Sequence, residues 1–346
     1  MLRTNITYRS WNTTIVRATA LAAAVVAFLA MYSACTDDSV LPVDPDPVSI
    51  SIDEAPRWSP DGSHILYYHH GVVEVRNGYA VVDLDSIGLW VVGSDGSSPR
   101  ILIRGINLSM VADWSPQSDS FAYSLGQQIY RAAFTGTGID SLSIQQLTTI
   151  GWNTFPAWSP DGQWIAHDAE SGPFKIGIMR ADGTEKQVVE HTGMGDWRMP
   201  DWSPTGRICH IRYPPGTGAT PEIFTMDRDG GNVVRVRFNQ NEERFPQFSP
   251  NGLKIAYWTS YAAQPAEFGV WIVDADGGNP VRLAPGAAPS WSPDGEWIAF
   301  ARASEQRGTI WKVRVDGSEL LQVTFGPQFR TNTYVCGTLL RPTREY

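Results

Sequence analysis

Six times along the chain a Ser-Pro step follows a large aromatic residue, and the residues just ahead of that aromatic are where chemistry could sit. Arg57, Asp113, Asp201 and Gln247 occupy one repeat position, directly before Trp58, Trp114, Trp202 and Phe248. Trp152, Trp197, Arg198, Glu243 and Arg244 lie a few residues further upstream in their own repeats. Charged and aromatic groups gathered at the mouth of a cleft suit a peptide or sugar ligand. A ring of solvated loops would use the same residue types.

Other chemistry-bearing residues read as structure. The chain has no Gly-x-Ser-x-Gly elbow, His-Glu-x-x-His, Cys-x-x-Cys pair or Gly-rich phosphate loop. No catalytic residue, metal ligand or cofactor is assigned. His167 and His210 take a strand position that Tyr or Phe fills in other repeats, so packing is expected of both. His69 and His70 open an insertion and would need further partners to hold a metal. The runs Asp227–Asn232 and Asp274–Asn279 have the look of calcium loops but lack the terminal Glu, and they coincide with hairpin turns. Cys209 replaces Ala in an apolar strand and reads as a core thiol, with a disulfide to Cys336 as the alternative.

The elements that must position these residues repeat. Trp58-Ser59-Pro60-Asp61-Gly62 returns at Trp114, Trp158, Trp202, Phe248 and Trp291, at spacings of 56, 44, 44, 46 and 43 residues. A period near 44 accommodates four short strands and their turns. In Ser-Pro-Asp-Gly, Pro presets φ at the second turn position and Gly supplies positive φ at the fourth, so a hairpin is predicted there. An apolar strand follows, such as Ile165-Ala166-His167, then a second one, such as Val270-Trp271-Ile272-Val273. Five repeats continue into Asp-Gly, at Asp95, Asp182, Asp229, Asp276 and Asp316, a strong signal for a further hairpin. Fourteen Trp, 32 Gly and 24 Pro fit repeated aromatic packing between many turns.

These motifs resemble the TolB-like propeller repeat family over about residues 56–324. The resemblance implies an all-β fold, a six-bladed β-propeller of four-stranded antiparallel blades. It is to the repeat and not to TolB itself, whose propeller is preceded by an α/β domain. Two irregularities stand out. The first spacing is 12 residues longer than the next, and Val72–Val75 and Tyr79–Val82 flank Arg76-Asn77-Gly78 as an extra hairpin. Ring closure is open, because Val48–Ile52, Leu320–Thr324 and Thr331–Leu340 all read as strands for one place. The N-terminal strand is expected to join the sixth blade or its edge.

Residues 1–34 carry Arg3, Arg9 and Arg17, no acid, and an apolar run from Ala18, the pattern of a signal peptide. Ser33-Ala34-Cys35 resembles a lipobox, which implies lipidation at Cys35. Tyr32 stands where that family has Leu, and an uncleaved anchor is the alternative. The expected order is signal peptide 1–34, acidic lipid-anchored linker 35–47, propeller 48–325, and a tail or closing strand 326–346.

The chain carries a net charge of −9, and without residues 1–34 it has 24 basic against 36 acidic residues, or −12. Such a body repels phosphate backbones, so nucleic acid is not an expected partner. The expected function is that of a monomeric, envelope-anchored, non-catalytic propeller binding a protein, peptide or glycan at a channel mouth. The alternatives are a polysaccharide lyase or hydrolase with its site in the channel, and a purely structural envelope subunit.

Overall fold

The computed structural model describes residues 48–325, apart from 77–78, 83–84, 106–107, 171, 191–194, 216–219, 238–240, 262–266 and 305–306. Cys35, the leader, the linker and the 326–346 tail lie outside the described residues. Among the described residues, strands make up all the regular structure except one short turn of helix near Glu267. Four sheets are four-stranded antiparallel meanders, and one sheet has nine strands.

The nine-stranded sheet contains two meanders. One is β1 (Val48–Trp58), β2 (His64–Arg76), β4 (Gly88–Gly93) and β5 (Arg100–Arg104), with β3 (Tyr79–Val82) paired to the overhanging end of β2. The other runs Ala287–Trp291, Trp297–Ser304, Arg307–Arg314 and Leu320–Gln322. They join at two parallel residue pairs, Ser51 with Arg307 and Ile52 with Gly308. Val48–Ile52 is thus no separate strand. It is the start of β1, and it stays extended because the insertion lengthens β2 and gives it an antiparallel partner. At residues 51 and 52 it pairs with the start of the last meander's third strand, before the stretch that Leu320–Gln322 covers.

The first strand of each meander is the inner one. These are β1, Leu108–Trp114, Asn153–Trp158, Asp196–Trp202, Glu242–Phe248 and Ala287–Trp291. Each contacts the next, and the last contacts β1, so they close a ring. The predicted turns form as read: Gly62 N–H donates to Ser59 O, and the same bond recurs at Gly162, Gly206, Gly252 and Gly295. In the second repeat Ser118 takes the Gly place at φ +59°. The repeat aromatics Trp114, Trp158, Trp202, Phe248 and Trp291 are buried.

Five of the six inner strands share a feature that the repeat pattern did not announce. Three residues before the aromatic, Ala55, Phe155, Met199, Phe245 and Ala288 have φ between +47° and +57°. Strand register shifts at the same point in every inner strand. These are β-bulges, which bend a strand and re-aim a side chain. A non-glycine residue held left-handed costs about 1–2 kcal/mol, so the surrounding packing must favour the conformation.

Candidate functional site

The bulges turn their side chains toward the ring axis, where they meet. Ala55, Val111, Met199, Phe245 and Ala288 form one buried cluster with Phe155 packed on it. Phe155 and Phe245, from sheets that are not neighbours, stand edge to face at 5.8 Å. This apolar floor separates two polar layers. One lies at the mouth where the inner strands begin, the upper mouth. The other lies toward the face carrying the Ser-Pro turns.

In every repeat but the third, where it is Ala157, the residue before the aromatic belongs to the second layer and reaches the neighbouring meander. Trp158 N–H donates to Asp113 Oδ2 at 2.7 Å, and Phe248 N–H to Asp201 Oδ2 at 2.8 Å. Trp291 N–H donates to Gln247 Oε1 at 2.8 Å, and Trp58 N–H to Ser290 Oγ at 3.0 Å. Arg57, 8% exposed, reaches only Pro289 O at 3.5 Å, and its Nε has no protein acceptor. Burial pushes the carboxyl of Asp113 up to about 6 and that of Asp201 up to about 7, against the attraction of Arg57. These residues were expected to contact a partner; the structure gives Asp113 and Asp201 a demonstrable role as fasteners between sheets.

At the upper mouth, Arg198 Nε donates to the fully buried Asp168 Oδ2 at 2.9 Å, and Met199 N–H donates to Asp168 Oδ1 at 2.6 Å. Burial raises the Asp168 carboxyl to about 7, with Arg198 and the Met199 amide pulling it back. The carboxylate therefore fixes both the arginine and the left-handed bulge. The Arg198 guanidinium lies 4.2 Å from the Phe174 ring centre and 6.0 Å from that of Phe155. Phe174 in turn meets Trp152, which is 38% exposed. Arg244 pairs with Glu242 at 3.1 Å and lies 5.8 Å from the Tyr213 ring. Rings thus run from Trp152 to Phe174 and from Phe155 through Phe245 to Trp258, with Arg198 bridging Phe174 and Phe155. Two buried polar atoms here lack a protein partner, Thr154 Oγ1 and Trp258 Nε1.

Two expected contact residues are interior instead. Trp197 is fully buried, stacked on His210 at 4.3 Å with Arg212 over its ring. Its size fills the wall between strands, which leaves no surface for a partner. Glu243 is 1% exposed and accepts from Arg237 Nε and Ile223 N–H. His210 and His167 pack as read: His167 donates Nδ1–H to Asp168 O, and burial lowers it to about 4. The calcium-like runs are hairpin turns whose leading carboxylates are taken up by Arg207 and Asn232, or Lys254 and Asn279. Cys209 is a buried free thiol that burial raises well above its ordinary range. Among the described residues, no three His, Cys, Asp or Glu side chains converge as metal ligands.

The TolB beta propeller domain model matches residues 70–332. The chain belongs to the TolB beta propeller domain family. An uncharacterised protein of Agrobacterium fabrum is 28% identical over 271 residues, covering 72% of this chain and 84% of that protein. The structure of a putative TolB from Agrobacterium tumefaciens superposes with a TM-score of 0.57 at 26% identity, covering 71% of this chain and 87% of that one. TolB from Acinetobacter baumannii gives 0.60 at 20% identity over 80% of this chain and 64% of its own length, a likeness of fold. The TolB-type propeller accounts for the ring of meanders. The apolar floor and the arginines are read from this chain's own residues.

Proposed function

We propose that this protein is a six-bladed, envelope-anchored propeller that binds a protein, peptide or glycan partner at the upper mouth without acting on it chemically. The six inner strands, with the nine-stranded sheet counted as two blades, support the blade number. The leader, Cys35 as the lipidated residue, the linker and the closing tail keep the boundaries given above and belong to the same proposal. The observation that carries the binding role is the pair Arg198 and Arg244 set against aromatic rings over a closed apolar floor. Aromatic and arginine side chains are the usual anchors of interfaces. The floor lets a partner seat at the mouth and keeps it from threading the ring.

The test is pull-down from envelope extract alongside thermal melting. Arg198→Ala would strand the Asp168 carboxylate, and loss of one partner of a buried pair costs about 3–5 kcal/mol. Trp152→Ala and Arg244→Ala are the cleaner variants, since each is partly exposed. The expected result is loss of the partner at an unchanged melting temperature. Loss in step with stability would show packing residues and reject the site. A second reading, a polysaccharide-cleaving site in the channel, draws on the raised carboxyls of Asp113 and Asp201. It requires turnover of a glycan that Asp201→Asn abolishes.

A further inference from the structure

On the turn face, at the opposite end of the inner strands from the mouth, an open groove of about 400 Å³ lies between the first two meanders. That size is within the roughly 300–1,000 Å³ range of small-ligand clefts. Arg100 forms one wall. Its Nη2 donates to Gly136 O at 2.6 Å, which fixes the guanidinium, and its buried Nε has no acceptor. A guanidinium has five N–H donors and Gly136 takes one, so Arg100 brings further donors to the groove.

The other wall supplies acceptors. Asp95 Oδ1 accepts from Ser97 N–H at 2.9 Å, and its bonds to Ser97 hold the carboxyl below its ordinary range. Ser63 Oγ donates to Asp61 Oδ1 at 2.7 Å and lies 2.6 Å from His64 Nδ1. Ser63 occupies Nδ1, so Nε2 is the ring nitrogen without a protein partner, and on a neutral ring it donates or accepts according to tautomer. Burial and Arg100 both lower the His64 pKa, in keeping with a neutral ring. Ser94, Ser98 and Thr137 line the rest of the groove.

A bare oxyanion offers only acceptors and would face the Asp95 carboxylate unmatched. A cation would face Arg100. A ligand whose groups both donate and accept matches every position. We propose that this groove binds a neutral oligosaccharide through the hydroxyl groups of one or two sugar rings. The same residue types recur in the next two grooves around the face. The second, about 340 Å³, holds Arg131, Asp119 and Ser143, and the third, about 500 Å³, holds Arg228, Asp161 and Thr205. Their succession favours a chain of sugars over a single ring.

The test is saturation-transfer NMR on the full chain in detergent with N-acetylglucosamine tetramer, maltotetraose and mannotetraose, and with inorganic phosphate as the anionic probe. At least one sugar is expected to bind at millimolar concentration. Arg100→Ala and His64→Phe should each weaken it about tenfold or more, the loss of one charge-assisted or buried hydrogen bond. His64→Phe keeps the edge contact with Phe134 and guards against a folding defect in the Arg100 variant. Binding of no sugar, binding of phosphate alone, or sugar binding that both variants leave intact would each overturn the proposal.

Discussion

Asp201 shows how one side chain can look like a site and act as a fastener. Its carboxyl holds the Phe248 amide of the next sheet, yet burial raises it to about 7. The folded state therefore binds its proton more tightly than the unfolded chain, whose Asp titrates near 3.8. That contribution to stability is complete below about pH 4 and is lost as pH rises through 7, at roughly 1.4 kcal/mol per pKa unit. Asp113 and Asp168 act in the same direction. His167 opposes them. Its folded pKa of about 4 lies below the ordinary 6.5, so its contribution is present above 6.5 and is lost as pH falls toward 4. His64, also lowered, acts with His167, but with three carboxyls against the two imidazoles urea denaturation should show higher stability at pH 5.5 than at pH 8. Asp201→Asn, which keeps an oxygen for Phe248 N–H, should shrink that difference. An unchanged pH dependence in the variant would show that Asp201 titrates normally.

The turns and the bulges differ in how far the sequence reveals them. Pro60, Asp61 and Gly62 dictate their own backbone, so the Ser-Pro-Asp-Gly hairpins were legible from residue type alone. The Asn-Gly insertion was legible for the same reason, and β2 and β3 pair on either side of it. The bulges were not, because Ala, Phe and Met carry no preference for positive φ, and only the whole ring imposes it. A trace was available: Pro56, Pro156, Pro200, Pro246 and Pro289 each follow a bulged residue. The upper mouth suffered accordingly. Charge drew attention to Arg198 and Arg244, which the fold places at the upper mouth beside Phe155, Phe245 and Asp168, and no residue pattern announced those three. Trp197 was misplaced because strand direction, not residue type, decides which face a Trp takes. Two substitutions test the bulge. Ala288→Gly should leave stability unchanged or raise it by up to about 1 kcal/mol, since glycine relieves the left-handed backbone. Ala301→Gly, in a regular strand, should cost about 1 kcal/mol. Equal losses in urea titration would argue against a left-handed Ala288. His167 constrains its neighbour too. A Cβ on Gly177 would come 2.5 Å from the His167 ring, so Gly177→Ala should cost about 1–3 kcal/mol.

At the scale of the molecule, the ring is held shut by side chains and two backbone pairs. Each terminal meander supplies its own four strands, and the seam between them centres on Asp53. This residue is 1% exposed, lies 2.6 Å from His69 Nδ1, and accepts from Thr324 Oγ1 at 2.5 Å across a separation of 271 residues. Lys312 adds a bond to Ser94 O. Asp53→Ala removes two bonds to a charged group and should cost roughly 3 kcal/mol or more, while Thr324→Val should cost about 1–2. Hydrogen exchange should rise first in β1 and in Leu320–Gln322; uniform exchange would mean the seam is not the weak point. In the proposed function the closed ring presents the upper mouth to its partner. The most direct measurement places a photo-crosslinking amino acid at Ile150, exposed on the entry loop beside Trp152, in intact cells, with a second at Asp316 on the turn face as the control. A discrete crosslinked envelope partner from position 150, absent from 316 and lost when Arg244→Ala is added, is the expected result. No crosslink at 150, or the same species from both faces, would contradict it.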